Sequence, residues 1–465
     1  MVRSIEPVSA SSTGPVLALR LDRSLPLREQ LEERVRALIR SGVLEPGARL
    51  PSTRALAYDL DVSRGVVVSA YAQLAAEGFV RLRPGAVPLV AVTGRAPESV
   101  AYEPEFPLVR ARYNLRPDLP DLGLFPRADW LRSCRRSLAG TANADLSYGD
   151  PFGAIRLRSQ LAPFLARTRG VLADADRTGI FSGATHALLV LGAVIRAAGA
   201  VRVGVEDPCH RWRARVLAAS GLEVVGVPVD EHGVRVDALG DVDAVLVSPD
   251  HNFPTGAVLS PDRRSALVDW AAAGDRLVIE DDHDGHFRYG GIQAGALQAL
   301  APEHVAYVGS ASALLAPAVR LGWAVLPARL VAPVADHLFW TALATSRLTQ
   351  FALAEMIERG YLDRHLRRSQ AAYKRRRAVM LRSLARHFPD AEVGGAAIGL
   401  FVPVRIPGET RLLERARERW IALDGLNEHG LTPQPSGLVL GFAASPEPAL
   451  RRALATLRRL AGDAV

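Results

Sequence analysis

At 465 residues the chain is too long for one ordinary domain and long enough to bury two or three cores. Hydrophobic residues make up 49% of it and charged ones 23%, a globular balance that contains no apolar run of the roughly 18 residues a membrane span needs. The net charge of +8 favours polyanionic partners only weakly over this length.

Cys134 and Cys209 lie far apart and fit no metal or redox spacing, so no disulfide is expected. The first fifteen residues show no secretory pattern, and a cytoplasmic protein is expected. One detail of composition bears on chemistry: Lys374 is the single lysine, and arginine supplies every other permanent positive side chain.

Residues 1–19 are rich in Ser, Pro and Ala, which predicts a frayed end. Leu27, Leu31, Val35, Leu38 and Ile39 then recur at helical spacing until Gly42 interrupts them. Ser52 is a good N-cap for a second helix with Leu56 and Leu60 inward. Ser63 caps a third, which buries Val67, Tyr71 and Leu74 and ends near Gly78. Residues 79–83 and 89–92 flank Pro84-Gly85 as a hairpin. Three helices and a hairpin over residues 20–92 make the winged helix-turn-helix plan.

In that plan the third helix enters the major groove, so Ser63, Arg64, Gly65 and Ser69 are the candidate base-facing residues. Arg64 has the fork geometry for a guanine edge, while Ser52, Ser63 and the helix starts suit phosphates. Arg54 is placed for a backbone contact, and Arg81 and Arg83 lie on the wing. Charge does not decide the matter, because residues 20–91 carry eleven arginines against eight acidic side chains. By pattern alone a small helical interaction module fits equally well.

Specific motifs add to this. Pro26-Leu27 with Gln30, the run from Gly42 through Glu45-Pro46-Gly47 to Leu50-Pro51-Ser52-Thr53-Arg54, and Val62-Ser63-Arg64 with Ala70-Tyr71, Leu74 and Glu77-Gly78 resemble the GntR-type winged-helix family. The resemblance implies a double-stranded DNA operator as partner. The family often carries other residues at Gly65-Val66, at Ser69 and after Pro84-Gly85, so the operator sequence is not implied.

Residues 93–112, broken by Gly94, Pro97, Pro104 and Pro107, read as a linker. From 113 to 465 the pattern changes. Short β-rich runs at 201–205, 223–227, 243–247, 276–279, 305–308 and 321–325 alternate with helical stretches such as 186–198 and 261–273. That alternation predicts an α/β domain with a mostly parallel sheet. Strands at 399–406 and 437–442 predict a small C-terminal lobe.

Within this body Arg116-Pro117, Pro120-Asp121, Leu124-Phe125-Pro126, Tyr148-Gly149-Asp150-Pro151, Ser182-Gly183-Ala184, Glu206-Asp207-Pro208, Phe253-Pro254-Thr255-Gly256, Glu280-Asp281-Asp282 and Arg320-Leu321-Gly322 occur in order. They resemble the fold-type I aminotransferase-like domain of MocR-type regulators, whose GntR-type heads control transcription in response to pyridoxal phosphate or its adducts. The resemblance implies a head-to-tail homodimer. It also implies a phosphate cup of Gly183, Ala184, Thr185, Ser310, Ser312 and Arg320, with Pro254 in the pocket motif and Asp281 as the carboxylate for a protonated pyridine nitrogen.

The reactive end departs from the family. Gly309-Ser310-Ala311-Ser312-Ala313 stands where the family has a motif ending in the lysine that bonds the cofactor, and alanine has no amine. His283 and His210 stand where the family has tyrosines. Lys374 lies far along the chain in 373–376, which reads as a solvated helix face. The expectation is therefore a regulator without catalytic residues and without covalent pyridoxal phosphate. It binds that cofactor or a related phosphorylated effector non-covalently, or uses the domain for dimerisation alone. The alternative, an active pyridoxal-phosphate-dependent aminotransferase, is disfavoured by Ala313. His210, His251 and His283 lack metal-ligand spacing, so no metal is expected. Arg211, Arg213 and Arg215 suit either a solvated face or a hold on an anionic group.

Overall fold

Leu31, Val35 and Ile39 fall on one stripe of a helix, and in the computed structural model they meet Leu56, Val67, Tyr71 and Leu74 in one buried cluster. The structure describes residues 17, 19–91, 111–290, 294–341 and 345–462. All but a few residues of the expected frayed end (1–19) and linker (93–112) lie outside those described. The chain divides into two compact units, Met1–Pro107 and Leu108–Val465.

The first unit contains α1 (Leu27–Arg40), α2 (Thr53–Asp59), α3 (Arg64–Ala76), β1 (Val80–Arg81) and β2 (Leu89–Val90). Both expected caps form: Ser52 Oγ accepts from the Ala55 amide at 3.2 Å, and Ser63 Oγ from the Val66 amide at 3.4 Å. The Tyr71 hydroxyl donates to the Pro51 carbonyl at 3.0 Å, which ties α3 to the turn before α2. The wing pairs Val80 with Val90 and Arg81 with Leu89. Its strands are two residues each, shorter than the sequence suggests.

In the second unit the strands are β3 (Tyr113–Asn114), β4 (Thr178–Phe181), β5 (Arg202–Asp207), β6 (Glu223–Asp230), β7 (Gly233–Val234), β8 (Ala244–Val247), β9 (Leu277–Asp282), β10 (Val305–Ser310), β11 (Gly322–Val325), β12 (Glu392–Val393), β13 (Phe401–Arg405), β14 (Ile421–Ala422), β15 (Asp424–Gly425) and β16 (Gly437–Gly441). Eight form one sheet in the order β4-β11-β10-β9-β8-β5-β6-β7. The central five, β10, β9, β8, β5 and β6, are mutually parallel. β11 runs antiparallel to both of its neighbours, and β7 folds back on β6. The fold is thus α/β with a mixed, mostly parallel sheet. β8, β9, β10 and β11 are buried at every position, as expected where helices cover both faces.

A second sheet, β12-β13-β16-β15, forms the small C-terminal lobe, and β14 pairs with β3. β4 escaped the sequence reading because Thr178 and Gly179 dilute its apolar run. The long helix Tyr361–His387 corrects another expectation. Lys374 and Arg375 are exposed on it, but Tyr373 is buried and Arg376 is ion-paired with Asp121 at 2.6 Å. Residues 373–376 are therefore a helix that turns half its side chains inward. Among the described residues, no helix is long and apolar enough to cross a membrane.

Candidate ligand cavity and recognition helix

Parallel strands deliver their carboxyl ends to one edge of the sheet, and ligands collect there. In this protein Asp281 and Asp282 end β9, Ser310 ends β10, and Ser248 follows β8. Beyond them lies a cavity of about 430 Å³. A larger one, of about 790 Å³, is lined by other residues such as Asp230, Thr255, Arg405 and Gln434. The smaller cavity is the better candidate because buried polar atoms converge on it.

One side of it suits an anion. The helix Ala184–Ala197 starts directly after Gly183, whose φ of +98° favours glycine. A Cβ on Gly322 of β11 would stand 2.6 Å from the Gly183 carbonyl carbon, so glycine there lets the helix start lie against the strand. Ala184, Thr185, Ser312 and Arg320 line the cavity. Helix amides, hydroxyls and a guanidinium are the groups that hold phosphate.

The other side is more crowded. Asp281 is buried and ion-paired with Arg213 at 2.5 Å. Among the described residues, Arg213 Nη1, Asp281 Oδ1, His210 Nδ1 and His283 Nε2 are buried and find no hydrogen-bond partner. Burial first, and then the positive charge of Arg213, hold His210 well below the usual histidine range, so its ring is neutral. That ring packs 5.0 Å from Phe253 and 5.7 Å from His429. His251 bonds Asp284 at 3.1 Å and stacks on Phe401 at 4.4 Å.

Beneath lies a floor of ion pairs. Arg169 donates to Asp282 at 2.5 Å and also to Asp250, which takes Arg264 and Arg288, each at 2.6 Å. Tyr307 donates its hydroxyl to Asp282 at 2.6 Å. Burial alone would raise Asp282, but Arg169 outweighs it and holds the carboxyl below the usual range. These pairs fix the strand ends that carry the lining groups.

Of the residues the sequence nominated, Ala184, Thr185, His210, Asp281, His283, Ser312 and Arg320 are brought together on the cavity. Gly183, Pro254, Ser310 and Ala313 are not among its lining. Gly183 caps the helix, and Ser310 Oγ accepts from the Ser312 amide at 3.3 Å. Pro254 follows the lining residue Phe253. The Ala313 methyl is fully buried in the hydrophobic core. Sequence reasoning missed Ser248, Phe253, Asp284 and Phe401, and left Arg213 undecided among three arginines. Asp284 had a local signal in the acidic run at β9, and Phe253 in the motif that supplied Pro254. Among the described residues, no group of three or more His, Cys, Asp or Glu is arranged to hold a metal ion.

On the first unit, Ser52, Arg54, Ser63, Arg64, Gly65, Ser69, Arg81 and Arg83 are all exposed. Ser63 caps α3 and Arg64 opens it, while Gly65 and Ser69 lie one turn apart on the side away from the buried Val67, Ala70, Tyr71 and Leu74. Arg64 Nε reaches Thr53 Oγ1 at 3.4 Å, which brings the starts of α2 and α3 together.

Two family descriptions match the chain: bacterial regulatory proteins of the gntR family over residues 27–87, and aminotransferase class I and II over residues 120–457. The pyridoxine biosynthesis transcriptional regulator PdxR of Corynebacterium glutamicum is 32% identical, covering 95% of this chain and 97% of that one. The probable rhizopine catabolism regulatory protein MocR of Rhizobium meliloti is 29% identical, covering 95% of each. An archaeal alanine:glyoxylate aminotransferase superposes with a TM-score of 0.70 at 24% identity, covering 77% of this chain and 92% of that one, which shows the fold alone.

Proposed function

This chain belongs to the GntR-headed transcriptional regulators that carry an aminotransferase class I and II domain, and on that premise we propose that it binds a DNA operator without being a transaminase. Residues 20–92 act as the head, 93–112 as the linker and 113–465 as the effector and dimerisation body, working in the cytoplasm as a head-to-tail homodimer. A phosphorylated small molecule in the cavity shifts the arrangement of the two heads on their half-sites.

Pyridoxal phosphate is the cofactor of the aminotransferase family, and the residues here fit it only in part. The helix start after Gly183, with Thr185, Ser312 and Arg320, suits its phosphate. The other end does not suit its chemistry. Ala313, three residues after the Ser310 cap, offers a buried methyl and no amine, and Lys374 is exposed on another helix. The Asp281 carboxylate already holds a guanidinium. We therefore assign no catalytic step to this cavity.

Ala313 is the observation that carries this reading. Purified protein incubated with pyridoxal phosphate and then borohydride should carry no covalent adduct at the cavity, by mass spectrometry of peptides. An adduct within the described cavity, or turnover of an amino donor, would overturn it.

A further inference from the structure

Arg213 sits on the inward face of the helix Arg211–Ala219, whose Ala214 and Leu217 are buried in the core. The corner before that helix is clamped: Asp207 at the end of β5 accepts from the Leu431 amide at 2.8 Å and the Thr432 amide at 3.1 Å. The Cys209 amide donates to the His429 carbonyl at 3.1 Å. The arginine is thus delivered to Asp281 by a fixed backbone, and its side chain is 12% exposed.

We propose that Arg213 determines what this cavity accepts: it occupies the Asp281 carboxylate in place of a ligand cation, and so selects a phosphorylated hydroxy acid over a pyridinium ring. The proposal rests on the reading of the cavity as a ligand site. Of the other carboxylates of the lining, Asp250 and Asp282 are held by arginines and Asp284 by His251, while Asp118 is exposed at the rim. Among the described residues Arg213 Nη1, a donor, and Asp281 Oδ1, an acceptor, stay open at this ion pair, with His210 Nδ1, His283 Nε2, His251 Nε2 and Ser248 Oγ also open around the lining. A ligand carboxylate satisfies the first and a ligand hydroxyl the second, while its phosphate rests at the helix start with Thr185, Ser312 and Arg320. A protonated pyridine nitrogen at Asp281 would instead lie beside a fixed guanidinium, and a like charge disfavours it. Neutral His210 adds no compensating negative charge.

Calorimetric titration of the full chain with 3-phosphoglycerate and with pyridoxal phosphate tests this, on the native protein, Arg213→Met and Arg213→Lys. The native protein should prefer 3-phosphoglycerate. Arg213→Met should lose about tenfold or more on it and gain about tenfold on pyridoxal phosphate, the change expected when one charge contact of about a pKa unit is removed. Arg213→Lys keeps the cation on Asp281 but lacks the second amino group. It should stay poor at pyridoxal phosphate while weakening on the hydroxy acid, and it serves if the methionine variant does not fold. Binding that ignores both substitutions overturns the proposal and leaves the cavity reading standing. Binding of neither probe to native protein or variants overturns the cavity reading, and the proposal with it.

Discussion

Glu206 shows how one side chain sets a property of the whole body. It lies in the buried stretch of β5, and burial pushes its carboxyl up to about 7 despite the Ser248 amide donating to it at 3.0 Å. Glu280 on β9 is lifted to about 7 by the same cause. A carboxyl whose folded pKa lies above its unfolded value holds its proton longer in the folded state. Stability therefore falls as pH rises from the ordinary glutamate range to about 7, and the loss is complete above that. Glu206→Gln removes one of the two titrations. At about 1.4 kcal/mol per pKa unit the native protein should lose roughly 1–3 kcal/mol more than the variant across that window. Thermal melts at several pH values check this, and parallel profiles for the two proteins would refute it. Arg213 shows what a single position hides: the sequence offered it as one of three alternating arginines, and only its distance to Asp281 separates it from the exposed Arg211 and Arg215.

Among elements, α1 to α3 were legible because their signals are local. An apolar stripe, a serine at each N-cap and a glycine at a break all lie within a few residues of what they control. The prediction that belongs here concerns α3. Arg64 opens that helix and is exposed there. Arg64→Ala should weaken specific operator binding by about 1–3 kcal/mol at fixed salt. Fluorescence anisotropy with an operator fragment measures it, and an unchanged affinity would remove Arg64 from the base-reading set. Strands were less legible than helices. β5, β6, β8, β9, β10 and β11 announced themselves by β-branched runs, whereas β4 is four residues containing a threonine and a glycine. Its identity as a strand comes from pairing with β11, not from its own side chains.

Assembly is the remaining level. Tyr148 is 98% exposed, Trp340 81% and Phe339 61%, with the last two rings 5.1 Å apart. Large aromatics left in water mark an interaction surface, and a second copy of the chain is its occupant in the proposed homodimer. Trp340→Asp places a charge in that surface. The variant should sediment as a monomer at concentrations where the native protein sediments as a dimer. If both show the same mass, the interface lies elsewhere.

Residue order alone was enough for the head's three helices and wing, for an α/β body after residue 113, and for the lack of an amine at Ala313, because each is a matter of local pattern or of covalent identity. The strand order of the sheet, the ionic floor under Arg169, the stacking of His251 on Phe401 and the pairing of Arg213 with Asp281 were settled only by folding. Each of those joins groups dozens of positions apart, and nothing in local periodicity or capping encodes which distant partner a buried charge will meet. That choice is made when the sheet closes and every buried charge has to find a counter-charge or a hydrogen bond.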